Sequence, residues 1–314
     1  MVGIILVFWI ALPDTFMTAR NWLNISQQLS MLIVVAATMT VVMVTGDFDL
    51  SVGAMASLAG VVAATLFQLG FGIPAAIGAA LLTGFLGGVV NGVLVSLLGI
   101  LPFVATLATL TMFSGAAFIV SGGKTISGKA IPEAFAAFAR RGLEIGTIAD
   151  RPAVVPWLTL LALGTVGLVW IVLRKLPYGR RLHAIGSNAE AARLAGVNVA
   201  GLRLSVFLFT GVGAAVAGVM YAARVASANP TQGDGLMLTA IAAVFLGMTV
   251  TRNGQPSVLA TLAGVTILGV MDNGLTQLRV DSYVRDVLVG AIILAAVSIS
   301  ALGRRAAGTR QDRT

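Results

Sequence analysis

The chain contains no cysteine, and His183 is its one histidine among 314 residues. Without thiols there is no disulfide framework, no thiolate nucleophile and no cysteine-built zinc site. One imidazole makes no His-rich metal cluster, so no metal or other cofactor is expected. Charge is scarce too: Asp, Glu, Lys and Arg make up 10% of the residues, against about 25% in soluble domains. An intramembrane enzyme would need a catalytic constellation, and these absences leave almost nothing to build one from.

Hydrophobic residues fill 58% of the chain, and the mean hydropathy is +0.97. That composition belongs to a polytopic membrane protein. The 37 glycines exceed the usual ~7%, as expected where helices approach backbone to backbone in lipid. A formal charge of +8 in a soluble chain would suggest nucleic acid. In a membrane protein basic residues report topology first, and no nucleic-acid partner is expected.

Ten apolar stretches read as spans, at 1–18, 26–45, 51–69, 73–98, 102–121, 153–174, 204–226, 237–250, 255–277 and 285–303. The expectation is an all-α, single-domain membrane fold over 1–314. The first segment has no basic leader and no small-residue cleavage site, so it reads as a retained span. Ten spans place both termini on one side. With that side cytoplasmic, the inside holds Arg174, Lys175, Arg180, Arg181, Arg193, Arg203, Arg252 and the Arg304, Arg305, Arg310 and Arg313 of the 304–314 tail. The outside holds Arg20, Lys124, Lys129, Arg140, Arg141, Arg151 and Arg279. Eleven against seven favours both termini inside.

Two spans depart from a simple lipid-facing helix. Gly84, Gly88 and Gly92 form a ridge of small residues four apart, which suits tight helix packing within the chain. The stretch 237–250 is short for a crossing of about 20 residues. It reads either as a half-helix or as the continuation of a re-entrant stretch from 227–236, where irregular backbone is tolerated if protein or a watery cavity surrounds it.

The loop 175–203 carries its own helix signal. Ser187 and Glu190 are spaced as a capping box, good helix formers follow, and Gly196 supplies a left-handed stop. A short helix of Ser187, Asn188, Glu190, Arg193 and Leu194, flanked by basic residues, reads either as a docking element for a soluble partner or as an ordinary structured loop.

Other polar residues are sparse enough to matter. Gly46 to Gly53 reads GDFDLSVG; Asp47 and Asp49 would each cost about 2.5–3.5 kcal/mol at a span centre, so they are expected at an aqueous edge or facing a partner. Ser51 is positioned to cap the following helix. Asn91, Asn229, Thr231, Gln232, Asp272 and Asn273 are solute-path candidates, with structural hydrogen bonds between helices as the competing role. Gly122 to Thr125 imitates the end of a phosphate-binding loop, but Phe118 occupies its leading glycine position and no strand precedes it. Gly211 and Gly213 open a dinucleotide-like pattern that Val216 breaks inside an apolar helix.

Taken together, four blocks resemble the permeases of carbohydrate-type ABC importers, the ribose, xylose and arabinose family. GDFDLSVGAMASLAG at 46–60 is similar to that family's GG-[IF]-DLSVG segment, and PFVATLATLTMFSGAAFIVSGG at 102–123 to its PFIATLGTM…RG…TGG span. The stretch 179–197 resembles its GR…YAIGGNEEAARLSGIN loop, and ANPTQGDGLMLTAIAAVFLG at 228–247 its A.P..G.G.ELDAIAAVVLGG. The resemblance implies a bacterial inner-membrane subunit with no enzymatic activity of its own. Its partners would be a separate ATP-binding subunit, a periplasmic solute-binding protein and a second permease, identical or sister. It also implies that Ser187 to Gly196 is the coupling helix seated in the ATPase. Asp47 departs from the family's usual glycine, Met248 replaces a glycine, TRNGQPS at 251–257 replaces a glycine-rich turn, and LMLT at 236–239 lacks the acid of ELDA. Nucleosides, branched-chain amino acids or furanose-like molecules stay open as substrates. An ion-coupled carrier, with Asp272 as its only acid candidate, is the alternative class.

Overall fold

The computed structural model describes residues 2–148, 151–251 and 254–285, with scattered positions from 287 to 298. The expected tenth span at 285–303 lies largely outside the described residues. The 304–314 tail, Arg252 and Asn253 lie wholly outside them.

Helix α1 (Val2–Ala11) is followed by α2 (Ala19–Val44), α3 (Val52–Gln68), α4 (Ile73–Ser96) and α5 (Pro102–Ser121). The connection after α5 then holds strand β1 (Ile126–Ser127), α6 (Glu133–Arg140) and the hairpin β2 (Gly142–Ile148) and β3 (Arg151–Pro156). The chain continues through α7 (Trp157–Arg174), α8 (Pro177–Ser187), α9 (Ala189–Leu194) and α10 (Val199–Val225). After β4 (Ser227–Ala228) come α11 (Asp234–Val250) and α12 (Val258–Gln277). Among the described residues, α2, α4, α5, α7, α10 and α12 are long and apolar enough to cross a membrane.

Helix α2 is the core. Every residue from Ser30 to Val44 is buried, because a helix that is apolar all round has no face to give to water. α7, α10, α11 and α12 pack around it. Ser26 of α2 meets Thr159 of α7 at 3.0 Å, so these two helices run parallel. Arg203, near the start of α10, pairs with Asp47 just after the end of α2, so α10 runs the other way.

The glycine ridge of α4 works inside this chain. Gly84 faces the backbone of Gly211, Gly88 faces Phe207 and Leu208, and Gly92 faces Leu204. A methyl group at Gly84 or Gly88 would meet backbone atoms, so the α4–α10 approach requires glycine at both.

Three expectations change. The first span does not run through residue 18, because α1 stops at Ala11, two residues before Pro13. Thr18 then caps α2, accepting from the Asn21 amide at 3.2 Å, and the second span starts at residue 19. Residues 153–156 belong to β3 rather than to the sixth span. The strands themselves are confined to loops, so the all-α membrane architecture holds. The short span resolves into the 17-residue α11, which begins packed against α3: Gly233 lies on Gly53, and its amide donates to Ser57 Oγ at 2.7 Å.

Candidate functional site

Three places in the fold carry the polar residues, and they lie one behind another. The first is the face formed by α8 and α9. The capping box at Ser187 does not form, because α8 extends through Ser187. Asn188 turns the corner instead: extended at φ −160°, it closes α8 with its amide and caps α9 through its side chain, which accepts from the Ala191 amide at 3.0 Å. Asparagine is as good a cap as serine. Gly196, at φ +81°, ends α9. Its amide bonds Arg193 O and the Val197 amide bonds Ala192 O, the two bonds that satisfy a helix end through a left-handed residue.

One side of α9 is fixed and the other is bare. Ala192 is buried and Gly186 lies on the backbone at Val44. Tyr178 Oη meets Ser205 Oγ at 2.7 Å and ties α8 to α10. Burial pushes the Tyr178 hydroxyl pKa up, with the Ser205 hydrogen bond opposing. Outward, Leu194 is 83% exposed, and Glu190 and Arg193 form a 2.9 Å pair in solvent. Such an exposed pair contributes about 0–1 kcal/mol, so this surface is not built for internal stability.

Behind this face lies a buried polar node. Asp47, Asp49 and Ser51 are enclosed, not at an aqueous edge. Asp49 accepts from the Ser51 amide at 3.0 Å, Ser51 Oγ at 2.6 Å, Asn91 Nδ2 at 3.4 Å and Thr210 Oγ1 at 2.5 Å. Ser51 therefore spends its hydroxyl on Asp49 and does not cap α3. Asn91 donates to Ser51 Oγ and accepts from Thr109 at 2.6 Å, so it ties α4 to the 46–51 turn and to α5. Asp47 accepts from Thr45 at 3.0 Å and pairs with Arg203 at 3.1 Å.

The third place is a cleft of about 550 Å³ between α2, α10, α11 and α12, open along one side. Gln28, Tyr221, Arg224, Gln232, Thr239 and Asp272 supply its polar lining. Gln232 Nε2 is buried without a partner. Asp272 pairs with Arg285 at 2.6 Å, and is not an isolated mid-membrane acid. Of the path candidates, Gln232 and Asp272 reach this cleft. Asn229 instead closes a turn onto Thr231, and Asn273 bonds Asn21 and Gln277. Arg224 was the residue to find: a lone arginine three positions after Tyr221 near the end of an apolar helix is costly without a role.

Residues 21–297 match the family described as branched-chain amino acid transport system / permease component. The ribose import permease RbsC of Bacillus subtilis is 35% identical, covering 91% of this chain and 86% of its own length. The galactose/methyl galactoside import permease MglC of Escherichia coli is 32% identical, with 95% and 91% covered. The D-allose transport system permease AlsC of Escherichia coli is 31% identical, with 95% and 89% covered. A metal-chelate type ABC transporter in an inward-facing conformation shares the fold, with TM-score 0.52 and 18% identity over 95% of this chain and 96% of its own. ATP-binding and solute-binding partners follow from membership, and ATP hydrolysis belongs to a separate subunit. The chain belongs to the multi-pass permease family of binding-protein-dependent ABC importers.

Proposed function

We propose that this permease carries a sugar or sugar-like solute through the 550 Å³ cleft, by alternating access driven through α9. One observation carries the reading: a continuous line of contacts joins α9 to the cleft. Asn198, just after α9, caps α10 by accepting from the Gly201 amide. Arg203 in the first turns of α10 holds Asp47, Thr210 holds Asp49, and α3, which follows that turn, carries Gly53 and Ser57 against Gly233. Gln232, the next residue back, lines the cleft. A displacement of α9 is thus delivered to the cleft wall through packed, ion-paired and hydrogen-bonded groups rather than through a flexible loop.

The exposed Leu194, Glu190 and Arg193 seat in the ATPase in this reading, with Ser187, Asn188 and Gly196 shaping the helix. Both termini and α9 face the cytoplasm of a bacterial inner membrane, in line with the basic-residue bias. A second permease, a copy or a sister, closes the open side of the cleft. The amides, guanidinium, phenol and hydroxyl of the lining offer the mixed donors and acceptors that a polyhydroxylated solute needs. The sugar class is supported by the ribose, galactose and allose permeases among the relatives.

Uptake by the chain reconstituted with its ATPase and binding protein tests this. ATP-dependent accumulation of a pentose or hexose, with leucine left outside, is expected. Accumulation of leucine and no sugar would overturn the assignment of solute class.

A further inference from the structure

A second cleft, of about 590 Å³, opens on the α8 side of the molecule, away from the solute cleft. Its floor is the end of α7 and the start of α12, and its walls are α8 together with Thr251, Gln255 and Pro256. Arg174, Arg180 and His183 line it, and among the described residues no acid does. Among the described residues, neither arginine has a carboxylate within ion-pair distance. His183 Nδ1–H donates to the Gly179 carbonyl at 2.8 Å. That bond holds the ring and leaves Nε2 as its remaining polar atom. Ser257, at the N-terminus of the 20-residue α12, also lines the cleft and makes no side-chain cap. The positive end of that helix therefore adds to the three basic side chains.

The surroundings place this cleft at a lipid boundary. Trp170 lines it and carries the Lys175 ammonium 5.3 Å from its ring, an amphipathic pairing typical of the headgroup level. On the same helix ridge, Leu168 and Ile171 precede Arg174 at intervals of three residues and are exposed at 56% and 46%. An apolar, uncovered stripe thus runs down to a cluster of unpaired cations.

We propose that this cleft binds the phosphate head group of an anionic phospholipid, with Arg174 and Arg180 on the phosphate oxygens and the acyl chains along Leu168 and Ile171. Arginine suits phosphate because its planar fork donates two parallel hydrogen bonds. Basic pockets between membrane helices recognise anionic head groups by this chemistry. The site requires only the permease chain, and is independent of which solute it carries.

The test is lipid retention by the full chain. Wild type and Arg174→Gln/Arg180→Gln are reconstituted in nanodiscs of phosphatidylglycerol and phosphatidylcholine, extracted, and stripped stepwise with detergent. Bound lipid is counted by native mass spectrometry. Wild type is expected to keep phosphatidylglycerol at least about ten-fold longer than phosphatidylcholine, and the double variant to lose that preference. Arg174→Lys/Arg180→Lys, which keeps the charge, should restore part of it, and a Lys124→Gln/Lys129→Gln control should retain it fully. Equal retention of both lipids by wild type would overturn the proposal, as would preference surviving in the glutamine variant. Thermal stabilisation of wild type by inorganic phosphate, without any phosphatidylglycerol preference, would assign the cleft to a free anion and overturn the lipid. Loss of ATPase co-purification in the glutamine variant with lipid preference unchanged would overturn it in favour of a protein contact.

Discussion

Arg203 Nε lies 3.1 Å from Asp47 Oδ2, joining the first turns of α10 to the turn that follows α2. Asp47 is 3% exposed while the Arg203 side chain keeps 31% of its surface. The pair is therefore anchored in the protein at one end and open toward α9 at the other.

Removing either partner should cost more than removing both. Asp47→Asn and Arg203→Gln each leave one buried or half-buried group uncompensated. A double-mutant cycle on thermal unfolding in detergent should return a coupling of about 1–2 kcal/mol, within the range for contacting pairs. Additive effects would mean that the pair transmits nothing.

Asp49 should matter more to folding than Asp272. Asp49→Ala strands the donors of Ser51, Asn91 and Thr210 in the interior, at a cost of about 1–3 kcal/mol for each unsatisfied group. Asp272→Ala, half exposed in its pair with Arg285, should change stability by less than about 1 kcal/mol. Comparing monodisperse yield and melting temperature of the two variants checks the order.

The α4 ridge gives a steric prediction. Gly88→Leu should abolish the folded state, and Gly88→Ala should destabilise it by about 1–3 kcal/mol. Gly78→Ala on the same helix, where an added methyl meets nothing within 4 Å, should be tolerated. Equal yields of Gly88→Leu and Gly78→Ala would contradict the packing.

The end of α8 separates two readings of one sequence. Asn188→Ala should lose about 1 kcal/mol of local helix stability, seen as faster amide exchange over 189–195. Ser187→Ala should leave exchange there unchanged, because the serine hydroxyl caps nothing.

Much of this was legible in the chain because apolar length and polar scarcity are strong signals. The spans at 51–69, 73–98 and 102–121 match α3, α4 and α5 within two residues, since glycine, proline and polar residues punctuate them. Pro13 was legible too, yet the apolar run on either side of it masked the break. Ser187 misled because a capping box is a local pattern, and the helix before it continued for reasons of packing: Gly186 sits on the α2 terminus. Transfer cost alone puts Asp47 and Asp49 at an aqueous edge or against a partner. Their partners Arg203, Asn91 and Thr210 lie more than 40 residues away, and no local pattern announces them. Gln232 and Asp272 came from the rule that polar groups in apolar spans have work to do, and Arg224 obeys the same rule.

The most direct measurement of the central claim uses the bare surface of α9. Leu194→Asp/Arg193→Glu changes two exposed side chains, so the fold should survive, as size exclusion and melting temperature will report. Reconstituted with the ATPase, this variant should lose both co-purification and ATP-dependent solute accumulation by at least about ten-fold. A folded variant that still binds the ATPase and transports at the wild-type rate would contradict the account, because the drive would then enter the permease elsewhere.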